Sequence, residues 1–505
     1  MKLSAAWDDR TQQHPQETPM NASTHALVAV AATSGLVDLF ERQQQAARRE
    51  VEVPLALRRE RLQRLTAMWR QNEGRLAQAV GQDFGLRGER LTQVADALVL
   101  DSVLADLRRN LARWSRPRRV RTPLHLLPAR AFVQRQPLGV VGVISPWNYP
   151  LQLALGPSAT ALAAGNRVLL KPSEHTPHTA QLLAELVAQH FAPEEFAVVT
   201  GGVDVATAFS ALPFDHLFFT GSTTVGRQVA EAAARSLTPV TLELGGKSPC
   251  IVDASCSDLD DAALKIAVGK LLNGGQTCIA PDYLLLPRGR EAAFADAYQK
   301  AVTRLFPQLV GNADYAAIIN ARQHQRLQAL VDEAKALGAR VDDVGPPALG
   351  TPGNEAEARQ MRPLLVFDLP PQARLLQEEI FGPVLPVLPY DDLGTVIAYI
   401  NARPRPLALY WFGEDEAARD RVLQGTVSGG VTVNDTLMHI AHDGLPFGGV
   451  GESGLGAYHG ETGFLRFTHE KAVFVQSRFG RGDLLYPPFG ARFDRVMGLV
   501  RRWLR

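Results

Sequence analysis

Val140-Val141-Gly142-Val143-Ile144-Ser145-Pro146-Trp147-Asn148-Tyr149-Pro150 reads as a short apolar strand that runs into a turn closed by proline. The same pattern recurs downstream: residues 167–170, 196–200, 216–219 and 240–244 are strand-like, and several of the segments between them have helical spacing. Alternation of this kind predicts an α/β fold built on a doubly wound parallel sheet. Ligands of such sheets sit beyond the carboxyl ends of the strands. Asn148, Lys171, Gly221 and Glu243 each follow or close one of these strands, which makes them candidate site residues.

Upstream, residues 55–114 are rich in Leu, Ala, Arg and Gln at helical spacing and contain no proline, so they predict a helical layer. Asp83-Phe84-Gly85 lies inside that layer and reads as a helix end with a glycine stop. Residues 118–137 break into short apolar pieces and prolines, which suits a protruding hairpin. A second α/β stretch begins near Lys247.

Bulk properties set only outer bounds. The 505 residues are 46% hydrophobic with a net charge of +1, enough to bury a large core in two or more domains and without the charge imbalance that nucleic acid requires. Cys250, Cys256 and Cys278 are odd in number and lack metal-ligand spacing, so no metal is expected and a reducing, cytoplasmic compartment is. The first 25 residues contain no apolar run of the kind a secretory signal or anchor needs.

Cys278 closes Gly274-Gly275-Gln276-Thr277-Cys278 and has Leu242-Glu243-Leu244-Gly245-Gly246-Lys247 upstream. A thiolate is a strong nucleophile, and N–H groups exposed by a glycine-rich loop lower the pKa of a thiol. A carboxylate flanked by Leu242 and Leu244 is costly in a sheet unless it has a partner or a function. Taken alone, the cysteine could equally be an inert buried residue.

Further motifs, in order and in spacing, give the chain its resemblance. These are Ser145-Pro146-Trp147-Asn148-Tyr149-Pro150, Lys171-Pro172-Ser173-Glu174, Phe219-Thr220-Gly221-Ser222, Glu378-Glu379-Ile380-Phe381-Gly382-Pro383 and Leu445-Pro446-Phe447-Gly448-Gly449. With the Cys278 segment they closely resemble the aldehyde dehydrogenase superfamily from about residue 50 to about residue 475. Cys278-Ile279-Ala280-Pro281-Asp282-Tyr283 and Ser453-Gly454-Leu455-Gly456-Ala457-Tyr458-His459-Gly460 resemble its class 3 branch, which includes fatty-aldehyde and coniferyl-aldehyde enzymes.

The resemblance implies domains and roles. Residues 1–25 are expected as a disordered extension, 26–117 with 138–246 as the NAD-binding domain, and 247–445 as the catalytic domain. Residues 118–137 with 460–480 would form a small β oligomerisation element, implying a homodimer. Cys278 would be the nucleophile, Asn148 the oxyanion donor and Glu243 the base that activates water. Cofactor contacts would come from Trp147, Lys171, Ser173, Glu174, Gly221, Ser222, Gly226, Leu244, Glu379 and Phe381. Of these, Gly221-Ser222 opens a helix whose N-terminus suits a pyrophosphate, although the spacing is not the usual dinucleotide fingerprint. Glu174 beside Lys171 favours NAD over NADP.

The expected reaction is oxidation of an aldehyde to a carboxylic acid through a thiohemiacetal and a thioester. Coenzyme A-acylating relatives generally lack the glutamate that stands here as Glu243, and a cysteine hydrolase would want a histidine base that the matched motifs, apart from His459, do not supply. A non-catalytic protein of the same fold is disfavoured by the intact Cys278, Glu243 and Asn148. Residues 280–283 and 434–439 incline the substrate toward coniferyl-type aldehydes, with long-chain aliphatic ones as the alternative. Finally, residues 486–505 place apolar and arginine side chains at three- and four-residue steps, a basic amphipathic tail that would pack on the enzyme or touch a membrane surface peripherally.

Overall fold

The computed structural model describes residues 22–347, 351–480 and 482–504, except the side chains of residues 22–34 and 504. The expected disordered extension lies outside this range but for residues 22–25, which begin the helix Ala22–Arg49. Sixteen strands are described. The first two are β1 (Arg118–Val120) and β2 (Arg130–Pro137); β3 (Val140–Ile144), β4 (Arg167–Lys171), β5 (Phe196–Val198), β6 (His216–Thr220) and β7 (Val240–Glu243) follow. Next come β8 (Pro249–Val252), β9 (Tyr283–Pro287), β10 (Arg340–Asp343), β11 (Leu364–Phe367), β12 (Val384–Tyr390), β13 (Ala408–Phe412) and β14 (Gly430–Val433), and last β15 (Gly454–Leu455) and β16 (Thr468–Val475).

The strands make three sheets. One has the order β15-β7-β6-β3-β4-β5, parallel throughout except for β15, which returns from the far end of the chain to pair antiparallel with β7. Its order reverses between β3 and β6, so the turn after β3 leaves the sheet at the switch point where ligands of such folds bind. The second sheet runs β10-β11-β12-β9-β8-β13-β14, with β10 alone antiparallel. The third, β1-β2-β16, is an antiparallel ribbon in which Pro137 faces Thr468 and Arg130 faces Val475.

The central strands β3 and β4 of the first sheet are buried throughout because helices cover them, among them the wholly buried Gln152–Ala163. The helical layer is less continuous than its spacing predicts. Leu55–Phe84 ends at Gly85, whose φ of 75° stops the helix in the way Asp83-Phe84-Gly85 suggested. The chain then resumes as Glu89–Thr92, one π-helical turn over Gln93–Ala97, and Leu98–Trp114. The basic tail is helical over Ala491–Leu504, and the Trp503 ring lies 6.0 Å from that of His125 in the β1–β2 connection. Among the described residues no helix is long and apolar enough to cross a membrane.

Candidate active site

Cys278 stands where two chambers meet. The first, of about 280 Å³, is lined by Trp147, Asn148, Gly221, Ser222, Glu243, Leu244, Cys278, Glu379 and Phe381, together with Gln323 and Arg326. The second, of about 460 Å³, is largely apolar and shares Leu153, Thr220, Glu243, Leu244 and Cys278 with the first. Nine of the residues singled out in the sequence thus converge on one chamber. Lys171, Ser173, Glu174 and Gly226 stand outside its lining.

The thiol loop owes its shape to a run of left-handed backbone. Asn273, Gly274 and Gly275 take left-handed φ values of 54°, 63° and 79°, which turn the end of the helix Leu259–Leu271 into the loop. At Gly275 a Cβ would collide with the backbone of Gly382, so this glycine is what lets the Glu379–Pro383 segment approach the thiol. The Gln276 side chain then laces the loop together: its Nε2 donates to the Asn273 and Ala317 carbonyls at 2.8 and 3.1 Å, and its Oε1 accepts from the Ile319 N–H at 2.9 Å.

Asn148 is held from both ends. Its carbonyl accepts from Arg87 Nη1 at 2.8 Å and from Asn273 Nδ2 at 2.9 Å, and its own Nδ2 donates to the Gln276 carbonyl at 3.1 Å. One amide hydrogen is spent in that bond and the second is left for a ligand. Arg87 is in turn fixed by a fully buried ion pair with Asp96 at 2.5 Å, and Asp96 Oδ1 accepts the Leu151 and Gln152 N–H groups at the start of the next helix. Neither Arg87 nor Asp96 emerges from sequence reasoning. The readable signal was a lone carboxylate in the apolar run Val94-Ala95-Asp96-Ala97-Leu98. Gln323 and Arg326 were missed as well, and they carry no comparable signal.

Glu243 ends β7, opposite Thr220 of β6, and is buried with neither carboxylate oxygen hydrogen-bonded. Burial drives its pKa well above the usual carboxylate range. Glu243 is the one side chain among the described residues with both carboxylate oxygens buried and unpartnered, and a buried group left in that way calls for a functional explanation. Enclosure also raises the Cys278 thiol to about 12, the Glu379 and Glu243 carboxylates adding to it, against the pull of the Cys278 and Ile279 N–H groups. The expected lowering of the thiol pKa is therefore reversed: the Cys278 and Ile279 N–H groups pull it down, and burial outweighs them.

The residues of the first chamber, with Lys171 and Glu174 beyond its lining, suit a nicotinamide dinucleotide. Glu379 is pushed up to about 8 by burial, with Asp282 adding to the shift, and its Oε1 is a buried acceptor without a partner, suited to ribose hydroxyls. Gly245 leaves room for that carboxylate, since a Cβ there would overlap it. Ser222 caps the helix Thr223–Ala234 by accepting the Val225 N–H, so the positive end of a helix faces the chamber. Phe381, at a left-handed φ of 53°, and Trp147 meet nearly edge to face at 5.4 Å and form an aromatic wall. Lys171 closes β4 beside Ile144 and is buried, with its Nζ 3.1 Å from Glu174 Oε2. Burial notwithstanding, N–H donation and Lys171 keep the Glu174 carboxyl below its usual range. Gly226 sits under Leu244, whose Cδ2 would be 2.5 Å from an added Cβ, so its part is to seat Leu244. Among the described residues no cluster of His, Cys, Asp and Glu is arranged to hold a metal.

Comparison with known proteins bears on this arrangement. The sequence model of the aldehyde dehydrogenase family matches residues 7–473. A "Probable coniferyl aldehyde dehydrogenase" of Pseudomonas aeruginosa is 49% identical over 422 residues, 84% of this chain and 87% of that one. A coniferyl aldehyde dehydrogenase of Pseudomonas sp. strain HR199 is 46% identical, with 88% and 92% of the two chains aligned. Among solved structures, Staphylococcus aureus AldH in its substrate-bound state superposes with a TM-score of 0.85 at 35% identity, covering 92% of this chain and 99% of the other. The chain belongs to the aldehyde dehydrogenase family. It is accordingly an oxidoreductase acting on aldehydes, of a family that uses NAD or NADP.

Proposed function

We propose that this enzyme uses NAD to oxidise aromatic, coniferyl-type aldehydes to carboxylic acids, with Cys278 as the covalent nucleophile. The observation that carries the reading is the position of Cys278 and Glu243 in the walls of both chambers, one suited to a dinucleotide and one largely apolar. Relatives named as coniferyl aldehyde dehydrogenases incline the substrate the same way.

In this mechanism the Cys278 thiol loses its proton to solvent water, and the thiolate Sγ bonds to the aldehyde carbon as the C=O π pair moves onto oxygen. The carbonyl oxygen takes the negative charge and is met by the Asn148 amide and the Cys278 N–H. What NAD supplies when bound is acceptance of a hydride. Lys171 and Glu174 would hold its adenosine ribose, Gly221 and Ser222 the pyrophosphate, and Glu379 the nicotinamide ribose, with Phe381, Trp147 and Leu244 placing the ring. The acyl group then rests on Sγ as a thioester. Glu243, its basicity raised by burial, takes a proton from water, and the hydroxide displaces the thiol to release the acid. An ionised Glu174 would repel a 2′-phosphate, hence NAD over NADP.

The ribbon β1-β2-β16 is the surface through which two copies would associate. The exposed arginines of Ala491–Leu504 would give the tail weak, salt-sensitive attraction to an anionic membrane from the cytoplasmic side.

The test is NADH formation with coniferyl aldehyde, benzaldehyde and octanal, each with NAD and with NADP. Coniferyl aldehyde should exceed octanal in kcat/KM by about tenfold or more. A higher kcat/KM for octanal would move the substrate to long-chain aliphatic aldehydes, and equal use of NADP would remove Glu174 as a selector.

A further inference from the structure

Of the polar side chains that line the second chamber, Asp443 is the one carboxylate that the proposed mechanism does not use. On the helix Leu98–Trp114, Leu98, Val99 and Ser102 face the chamber, Ser102 one turn beyond Leu98. Across from them Leu437, Met438, Ile440 and Ala441 form an apolar wall that ends at Asp443, whose Oδ2 accepts the Ser102 hydroxyl at 2.5 Å. An ionised carboxylate offers about four acceptor positions, and Ser102 fills one. Val94, Leu98 and Met438 are 60%, 65% and 53% exposed, so this wall is reached from solvent past an apolar rim. A volume of about 460 Å³ falls among those of small-molecule sites.

We propose that Asp443, oriented by Ser102, is a specificity residue that accepts the ring hydroxyl of a 4-hydroxyaryl aldehyde whose carbonyl carbon lies at Cys278. The inference rests on the aromatic reading above. An apolar chamber binds cinnamyl and alkyl chains alike through burial, whereas a carboxylate in that wall rewards only a ligand that brings a donor. An aliphatic chain would strip water from Asp443 and give nothing back. Burial and the neighbouring Asp106 both raise the proton affinity of Asp443, which strengthens it as an acceptor from a neutral phenol; the same carboxylate would repel a phenolate.

The experiment uses the full-length enzyme with NAD and three aldehydes: cinnamaldehyde, 4-hydroxycinnamaldehyde and 4-methoxycinnamaldehyde, the last retaining the ring oxygen without its hydrogen. The wild type should prefer the 4-hydroxy over the 4-methoxy compound by roughly tenfold or more in kcat/KM. Asp443→Ala should reduce that ratio by roughly tenfold, chiefly through KM, with Asp443→Asn and Ser102→Ala reducing it less. A purely structural Asp443 would lower kcat/KM for all three together and leave the ratio where it was. A wild-type ratio near one, or a ratio unmoved in a folded Asp443→Asn enzyme, overturns the proposal while the aromatic reading stands. Failure of the wild type to oxidise any cinnamaldehyde while it oxidises octanal overturns both.

Discussion

Enclosure keeps the thiol of Cys278 protonated at neutral pH, since its pKa is pushed up to about 12. Below that value the thiolate fraction rises about tenfold per pH unit, so alkylation by neutral iodoacetamide should climb log-linearly from about pH 7 to 9 without levelling. A plateau below pH 9 in the cofactor-free enzyme would show that the loop N–H groups outweigh burial after all. In the proposed mechanism Asn148 acts on the oxygen rather than the sulfur. Its replacement by alanine should cost about 3 kcal/mol of transition-state stabilisation, a loss in kcat of about a hundredfold, and a loss confined to KM would make Asn148 a binding residue. The gathering of Cys278, Asn148 and Glu243 in one chamber was legible because each lies in a contiguous run of several residues that fixes the turn carrying it. Arg87 and Gln276 were not, because they act through carbonyls far along the chain.

Among the elements, the parallel strands were readable from their apolar runs to within a residue or two. The strand expected over 196–200 stops at Val198, although the Val199 N–H still bonds the Leu170 carbonyl. β15 was invisible, being two residues whose pairing to β7 is set by the rest of the molecule. The π turn at Gln93–Ala97 was invisible too, because one extra residue in a turn does not disturb helical spacing over sixty. That turn holds Asp96 against Arg87, and through it the Asn148 carbonyl. Asp96→Asn leaves the guanidinium buried without its counter-charge, which should cost about 3–5 kcal/mol of stability. It should also lower kcat in the fraction that remains folded, read as urea midpoint against turnover at low temperature. Unchanged kcat in a destabilised Asp96→Asn enzyme would detach the π turn from the positioning of Asn148.

At the scale of the whole molecule, the first sheet supplies Glu243 and Asn148 while the loop ahead of β9 supplies Cys278, so the site exists only once the two sheets are packed together. The apolar chamber is walled by segments from residues 94–102, 149–153, 272–279 and 437–458 together with Thr220, Glu243, Leu244 and Leu407, which is why its shape could not be read from one sequence. The two chambers share Cys278 and Glu243 in their walls, and the central proposal is that oxidation and deacylation are separate events on one sulfur, Glu243 serving only the second. The direct measurement is rapid-mixing NADH formation by Glu243→Gln with NAD and a cinnamyl aldehyde, followed by intact mass of the protein. We expect a burst approaching one NADH per active site, steady turnover slowed by about a hundredfold or more, and an acyl adduct that Cys278→Ala neither forms nor precedes with a burst. Full steady turnover by Glu243→Gln, yielding acid without coenzyme A, would contradict the account.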